Sequence, residues 1–274
     1  MSTTNIFVIF GICVAILTIP LIVIYISFPL ILGRYINLVE NIIVGTIGTY
    51  VVALALDFTL RRRQEKAVEK VARVALSEAS QSINGMMSLF ASMIKASSDG
   101  FVPTTIDDLF GPKSIDLISL HLALSSHAPV TSNITWLDHI GREARLLVDG
   151  LTDIQHQYQA FLPESVLATI GTLRNNSLFR VFIQLPNVVT IDAQHNIQRP
   201  VLNIQIENLK PLMDEIVISV KAIQQSAVKI NAKIVPTFPS FTFRDDVTPK
   251  IGESRFDGQL GPPLFISEQP PSGH

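Results

Sequence analysis

The residue types best suited to ligand chemistry lie on one predicted helix, where Asp149, Asp153 and His156 follow one another at steps of four and three. That spacing sets three donors on one face, where they can turn toward a metal ion. A bundle-type metal centre needs such a pair twice, with further glutamates facing inward, and the sequence offers no second copy. The expected state is a solvated helix face with no metal. His139 and Glu143 form an i, i+4 pair, read as a surface contact worth about 0.2–0.5 kcal/mol. His121 and His127 stand six apart, off any common face, and receive no role.

The segment GPKS at 111–114 ends like a phosphate-binding loop, but the upstream glycine is missing and Pro112 removes an amide donor that such a loop needs. No H-E-x-x-H, G-x-S-x-G or G-x-G-x-x-G pattern occurs. The single cysteine, Cys13, sits in an apolar run away from any histidine that would activate it, and a lone cysteine forms no intrachain disulfide. A reducing compartment fits that usage. The net charge of -2 and pI near 6.3 give no basic face for nucleic acid. The expectation is a non-catalytic protein with no cofactor.

The elements that would position any such site begin in lipid. Residues 6–32, IFVIFGICVAILTIPLIVIYISFPLIL, carry no charge, and residues 42–60 carry only Asp57, near their end. At about 1.5 Å per residue each stretch is close to or beyond the thickness of a hydrocarbon core, with Pro20 the expected kink in the first. The short connection between them predicts an antiparallel transmembrane hairpin. The first stretch lacks the basic n-region and the small-residue cleavage site of a signal peptide. Arg61, Arg62, Arg63 and Lys66 follow the second span, whereas the intervening loop has Arg34 alone. The excess of positive charge predicts an integral membrane protein with both termini cytoplasmic, those four residues anchoring it at the inner leaflet. Arg62, Lys66, Lys70 and Arg73 lie near one helical face, with Glu69 and Arg73 spaced to pair. Gly45, Thr49 and Ala53 recur every four residues, a small-residue stripe for close helix packing, either against the first span or against another copy.

Nothing between Asp57 and Ser82 stops a helix, so the second span is expected to continue into the cytoplasmic part, ending near residues 97–100. Ala72, Leu76, Ala79, Ile83, Met86, Phe90 and Met93 alternate steps of four and three, a buried seam either of the chain's own bundle or of an intermolecular coiled coil. After a linker with Thr105 and Asp108 in capping-box spacing, a short helix is expected from Ser114 to before Pro129. A longer one is expected from Asn133, with Trp136, Ile140, Ala144, Leu147, Leu151, Ile154, Tyr158 and Phe161 on one face. Pro163 opens a helix ending before Pro186, residues 186–200 form a connector with some β character, and residues 201–234 form a last helix. Its buried face is read as Leu202, Ile206, Leu209, Leu212 or Met213, Ile216, Val220 and Ile223, with Pro211 a kink.

The fold class is therefore all-α: a transmembrane hairpin over 1–60, a cytoplasmic antiparallel helical bundle over 61–234, and an irregular tail over 235–274. The tail is rich in proline and glycine, yet Phe238, Phe241, Phe243, Phe256 and Phe265 are too apolar for a solvated linker. These rings are expected to dock along the chain's own bundle or on a partner subunit, disorder being the remaining choice. The function read from this plan is a membrane-anchored scaffold or accessory subunit that assembles partner proteins at the cytoplasmic face. The rival is an oligomeric two-span signalling or effector protein whose hairpins assemble in the membrane as a pore. The partners implied are the lipid bilayer and either other proteins or further copies of the chain.

Overall fold

The second apolar stretch and the seam that follows it belong to one helix. The computed structural model of the chain describes residues 3–27, 33, 36–98, 100–130, 133–204, 206–232 and 255–260. Among them α1 is Thr3–Ser27 and α2 is the uninterrupted 62-residue helix Ile36–Ser97. The absence of glycine-proline punctuation between the arginines and the seam has the consequence that the spacing predicts. The chain divides into two compact units, Met1–Val68 and Glu69–His274, with α2 contributing to both.

In the first unit, α1 is partly covered at Gly11, Val14, Ala15, Thr18, Leu21, Ile22 and Tyr25, and α2 at Val39, Ile43, Thr46, Tyr50, Ala53 and Asp57. Both sets repeat every three to four residues. Where they meet, a Cβ at Gly11 would stand 2.5 Å from the Tyr50 hydroxyl, so any larger residue there has to displace the Tyr50 side chain. The Thr18, Thr46 and Thr49 hydroxyls each donate to the carbonyl four residues earlier at 2.7 Å, so none leaves a polar group unsatisfied. Among the described residues one helix is long and apolar enough to cross a membrane: α2 holds an 18-residue window of mean hydropathy 1.8, none of it buried.

The second unit is a helical bundle, with no strand among the described residues. Its helices are α3 (Ile106–Leu109), α4 (Pro112–His121), α5 (Trp136–Tyr158), α6 (Glu164–Asn175), α7 (Ser177–Gln194) and α8 (Ile206–Lys229). Every residue of the predicted seam from Ala72 to Met93 is buried within the one chain, and Met87, Leu89, Ala91 and Ile94 are buried beside it. That breadth is a bundle core rather than a narrow coiled-coil seam. Phe90 is the centre, its ring 4.9 Å from Phe110 and 6.0 Å from Phe182. The Tyr158 hydroxyl donates to Glu78 Oε1 at 3.1 Å, and Arg73 Nε donates to the Ile230 carbonyl at 2.9 Å, fastening α5 and the end of α8 to α2.

Several sequence expectations are corrected. Helix α4 starts at Pro112 and ends at His121, because Gly111 is its N-cap, the Ser114 hydroxyl donates to the Asp108 carbonyl at 2.6 Å, and Leu122 leaves the helix with an extended backbone that bridges to Arg255. Helix α5 starts at Trp136, one residue after Thr135, whose hydroxyl accepts the Asp138 N–H. Phe161 lies beyond its end and is 39% exposed, while Leu162 takes the buried place. The helix expected to run unbroken from Pro163 to Pro186 is two, broken at Asn176. Pro186 lies inside α7, and the chain beyond it, expected as a β-like connector, is helical through Gln194. The last turn of α7 is held by a part-buried ion pair, Arg199 Nε to Asp192 Oδ2 at 2.5 Å. Helix α8 begins at Ile206, not Val201, since Val201, Leu202 and Ile204 enter the core on irregular chain that turns through Asn203 at a φ of 44°. There the Ser119 hydroxyl accepts the Ile204 N–H at 2.8 Å. Of the alternatives on α8, Met213 is the buried residue and Leu212 only partly so.

Candidate functional site

None of the residues with ligand chemistry converge on a metal site among the described residues. Asp149, Asp153 and His156 are exposed on α5. His139 is not a surface residue: it is 7% exposed, its ring centroid 5.7 Å from that of Trp136, with Nδ1 3.6 Å from Glu143 and 3.4 Å from Arg142. Burial holds its pKa below the usual imidazole value, against the Glu143 charge, so the ring is neutral at physiological pH. The hydroxyls of Thr104 and Thr105 hold the Asp108 carboxyl below its ordinary range, and the Thr105–Asp108 capping box is complete. Pro112, inside the GPKS segment, starts α4 with no phosphate cradle around it.

The small-residue stripe divides. Ala53 shares the covered face of α2, but Gly45 and Thr49 are exposed, and a Cβ at Gly45 or at neighbouring Gly48 would meet nothing within 4 Å. The basic residues stand at the end of the apolar half of α2: Arg61 pairs with Asp57 at 2.7 Å, Arg62 lies 5.2 Å over the Phe58 ring, and Arg63 and Lys66 are exposed. Arg73 pairs with Glu69 at 2.8 Å as its spacing predicts. Of the tail phenylalanines, Phe238, Phe241, Phe243 and Phe265 lie outside the described residues. Phe256 is half-buried, and its N–H donates to the His121 carbonyl at 2.7 Å, so this short piece of tail lies on the end of α4.

What sequence reasoning missed is a groove of about 570 Å³ between α2 and α5, within the second unit. Met86, Leu147 and Ile154 form its apolar floor, and Glu78, Glu143 and Asp153 stand along it. Burial and the Glu78 carboxylate raise the Tyr158 phenol above its usual pKa, so it remains a donor at any physiological pH. The available signal was Gly85, a glycine in mid-helix with no cap or turn to make. Comparison of the chain with family models, curated proteins and solved structures gives no match.

Proposed function

We propose that the protein is a non-catalytic scaffold or accessory subunit, held in a membrane by a two-helix hairpin and presenting its bundle and both termini to the cytoplasm. The observation that carries this reading is α2 itself. Its first half is apolar and unburied, its second half supplies the bundle core, and three consecutive arginines mark the change. An apolar surface left open in this way needs lipid or protein around it. The bundle offers surface and grooves in place of assembled chemistry, which suits the holding of partner proteins, and the tail phenylalanines add docking groups.

The rival, an oligomer of hairpins in the membrane, is favoured by the open face at Gly45 and Gly48, where helices of neighbouring copies can approach closely. Native mass spectrometry of complexes released from the source membrane separates the two. The scaffold predicts one copy of the chain with other proteins at fixed stoichiometry. A closed ring of identical chains that makes liposomes leak supports the rival, and a chain that needs no detergent to stay in solution overturns both.

A further inference from the structure

Between Arg73 and Ser97 most of α2 is buried, and what reaches solvent is a narrow strip through Val74, Glu78, Gln81, Gly85 and Ser88, at steps of four and three. This strip forms one wall of the groove with α5. The two helices run antiparallel there, Glu78 being bonded to Tyr158 while Ser82 faces Gly150. Gly150 has an internal reason to be glycine, since a Cβ would stand 3.0 Å from the Ser82 hydroxyl. Gly85 has none. A Cβ there would meet nothing within 4 Å, and its φ is not in the left-handed region, yet glycine inside a helix is costly relative to alanine. The fold as it stands gains nothing from this glycine; a backbone laid across α2 from outside would.

Charge and spacing define that visitor. No lysine or arginine lines the groove. The Glu78 carboxylate accepts from the neutral Tyr158 phenol, and Glu143 is paired with Arg142 at 3.1 Å. Asp153 is exposed along the same wall without a cation. The resulting negative field repels anionic headgroups and favours a cationic protein surface. Leu147 and Ile154 stand seven residues apart on α5, about 10 Å along the axis, which is the interval of i and i+7 anchors on a docked helix. Exposed Leu146 extends the apolar contact at the rim.

We infer that the α2–α5 groove receives an amphipathic helix of a partner protein, apolar along its inner stripe and lysine- or arginine-bearing on its flanks. This rests on the scaffold reading and names the kind of partner it assembles.

The test uses the full chain in nanodiscs of zwitterionic lipid. The probe is a fluorescent 16-residue helical peptide with leucine and alanine inside and lysine on the flanks. Controls are a scrambled peptide of the same charge and a version with glutamate for lysine. Expected are binding of the lysine helix alone, weakened by salt, and an affinity at least about tenfold lower in Gly85→Leu, one rotamer-filled side chain blocking the groove. Gln81→Lys, which puts a positive charge on the wall with only a small change in side-chain size, is expected to weaken it as well, and unchanged circular dichroism in both variants shows that the bundle is intact. Equal binding of the scrambled peptide, or unaltered affinity in both variants, overturns the inference. So does a photocrosslinker at Gln81 that joins, without peptide, to residues 233–254 of the same chain or to a second copy. Native partners retained by Gly85→Leu in membrane extracts overturn the groove and leave the scaffold standing. A chain extracted alone that still binds the lysine helix removes the scaffold and supports the groove.

Discussion

Asn176 is 2% exposed, and its side chain makes three bonds. Its Oδ1 accepts the Leu178 N–H at 3.1 Å as an N-cap, and its Nδ2 donates to the Leu212 carbonyl at 2.9 Å and Glu215 Oε2 at 2.6 Å. One side chain thus starts α7 and fastens the α6–α7 junction to α8. Asn176→Ala is expected to cost about 2–3 kcal/mol in urea unfolding, combining loss of a cap with loss of a bond to a charged group. Asn176→Asp keeps the cap but opposes a carboxylate to Glu215, so Glu215→Gln should recover part of its loss. Independent, additive effects of the two substitutions would show that the pair does not interact. His139 adds a pH term. Its folded pKa lies below the ordinary 6.5, so the unfolded chain takes up the proton first as pH falls. The stability due to its neutral, buried ring is present above about pH 6.5 and is lost as pH falls through the depressed value. The contribution of Asp108 is also lost on acidification, but only below about pH 3.8, so the two windows are separable. Thermal midpoints between pH 7 and pH 5 should fall for the native chain and fall less in His139→Gln.

Among the elements, α7 crosses a proline that local rules treat as a stop. Pro186 cannot donate to the Phe182 carbonyl four residues back, and that carbonyl stands 3.3 Å from where a Cβ on Gly141 of α5 would lie. The glycine lets the two backbones close over the freed oxygen. Gly141→Val is expected to destabilise the bundle by about 1–3 kcal/mol in chemical denaturation through overpacking against backbone, despite the poor helix propensity of the glycine that it replaces. A stabilised Gly141→Val protein would mean that α5 and α7 slide apart at little cost. This contact also explains what the sequence concealed. The seam from Ala72 to Met93 and the Thr105–Asp108 box were legible because both are local, one a period and the other a three-residue spacing. The break at Asn176 was not, since both flanks favour helix and the decision comes from α8. The chain at Val201, Leu202 and Ile204 is kept out of the helix by a bond to Ser119, 85 residues away from Ile204. The groove was hidden for the same reason: its walls come from helices far apart in the chain, and Gly85 alone betrayed it.

At the scale of the whole molecule, the proposed orientation depends on charge at the two ends of one apolar stretch. Arg61, Arg62, Arg63 and Lys66 lie after it, and near its start Glu40 opposes Arg34. Moving a positive charge across a membrane core is far costlier than exchanging two interfaces, so the side with more lysine and arginine stays in the cytoplasm. A reporter fused after His274 is therefore expected to be inaccessible from outside intact cells. Replacing Arg61, Arg62, Arg63 and Lys66 with glutamine, while introducing Asn37→Lys and Asn41→Lys at exposed positions, should give a mixed or reversed population by impermeant cysteine labelling. Arg61→Gln also frees Asp57 from its 2.7 Å partner, so Asp57→Asn belongs in the same variant to remove the orphaned charge. If the swapped chain keeps the native orientation, the arginines do not determine it and the fold of the bundle must. If the unaltered chain already shows its C-terminus outside, α2 carries the bundle to the opposite face and the cytoplasmic scaffold has to be given up.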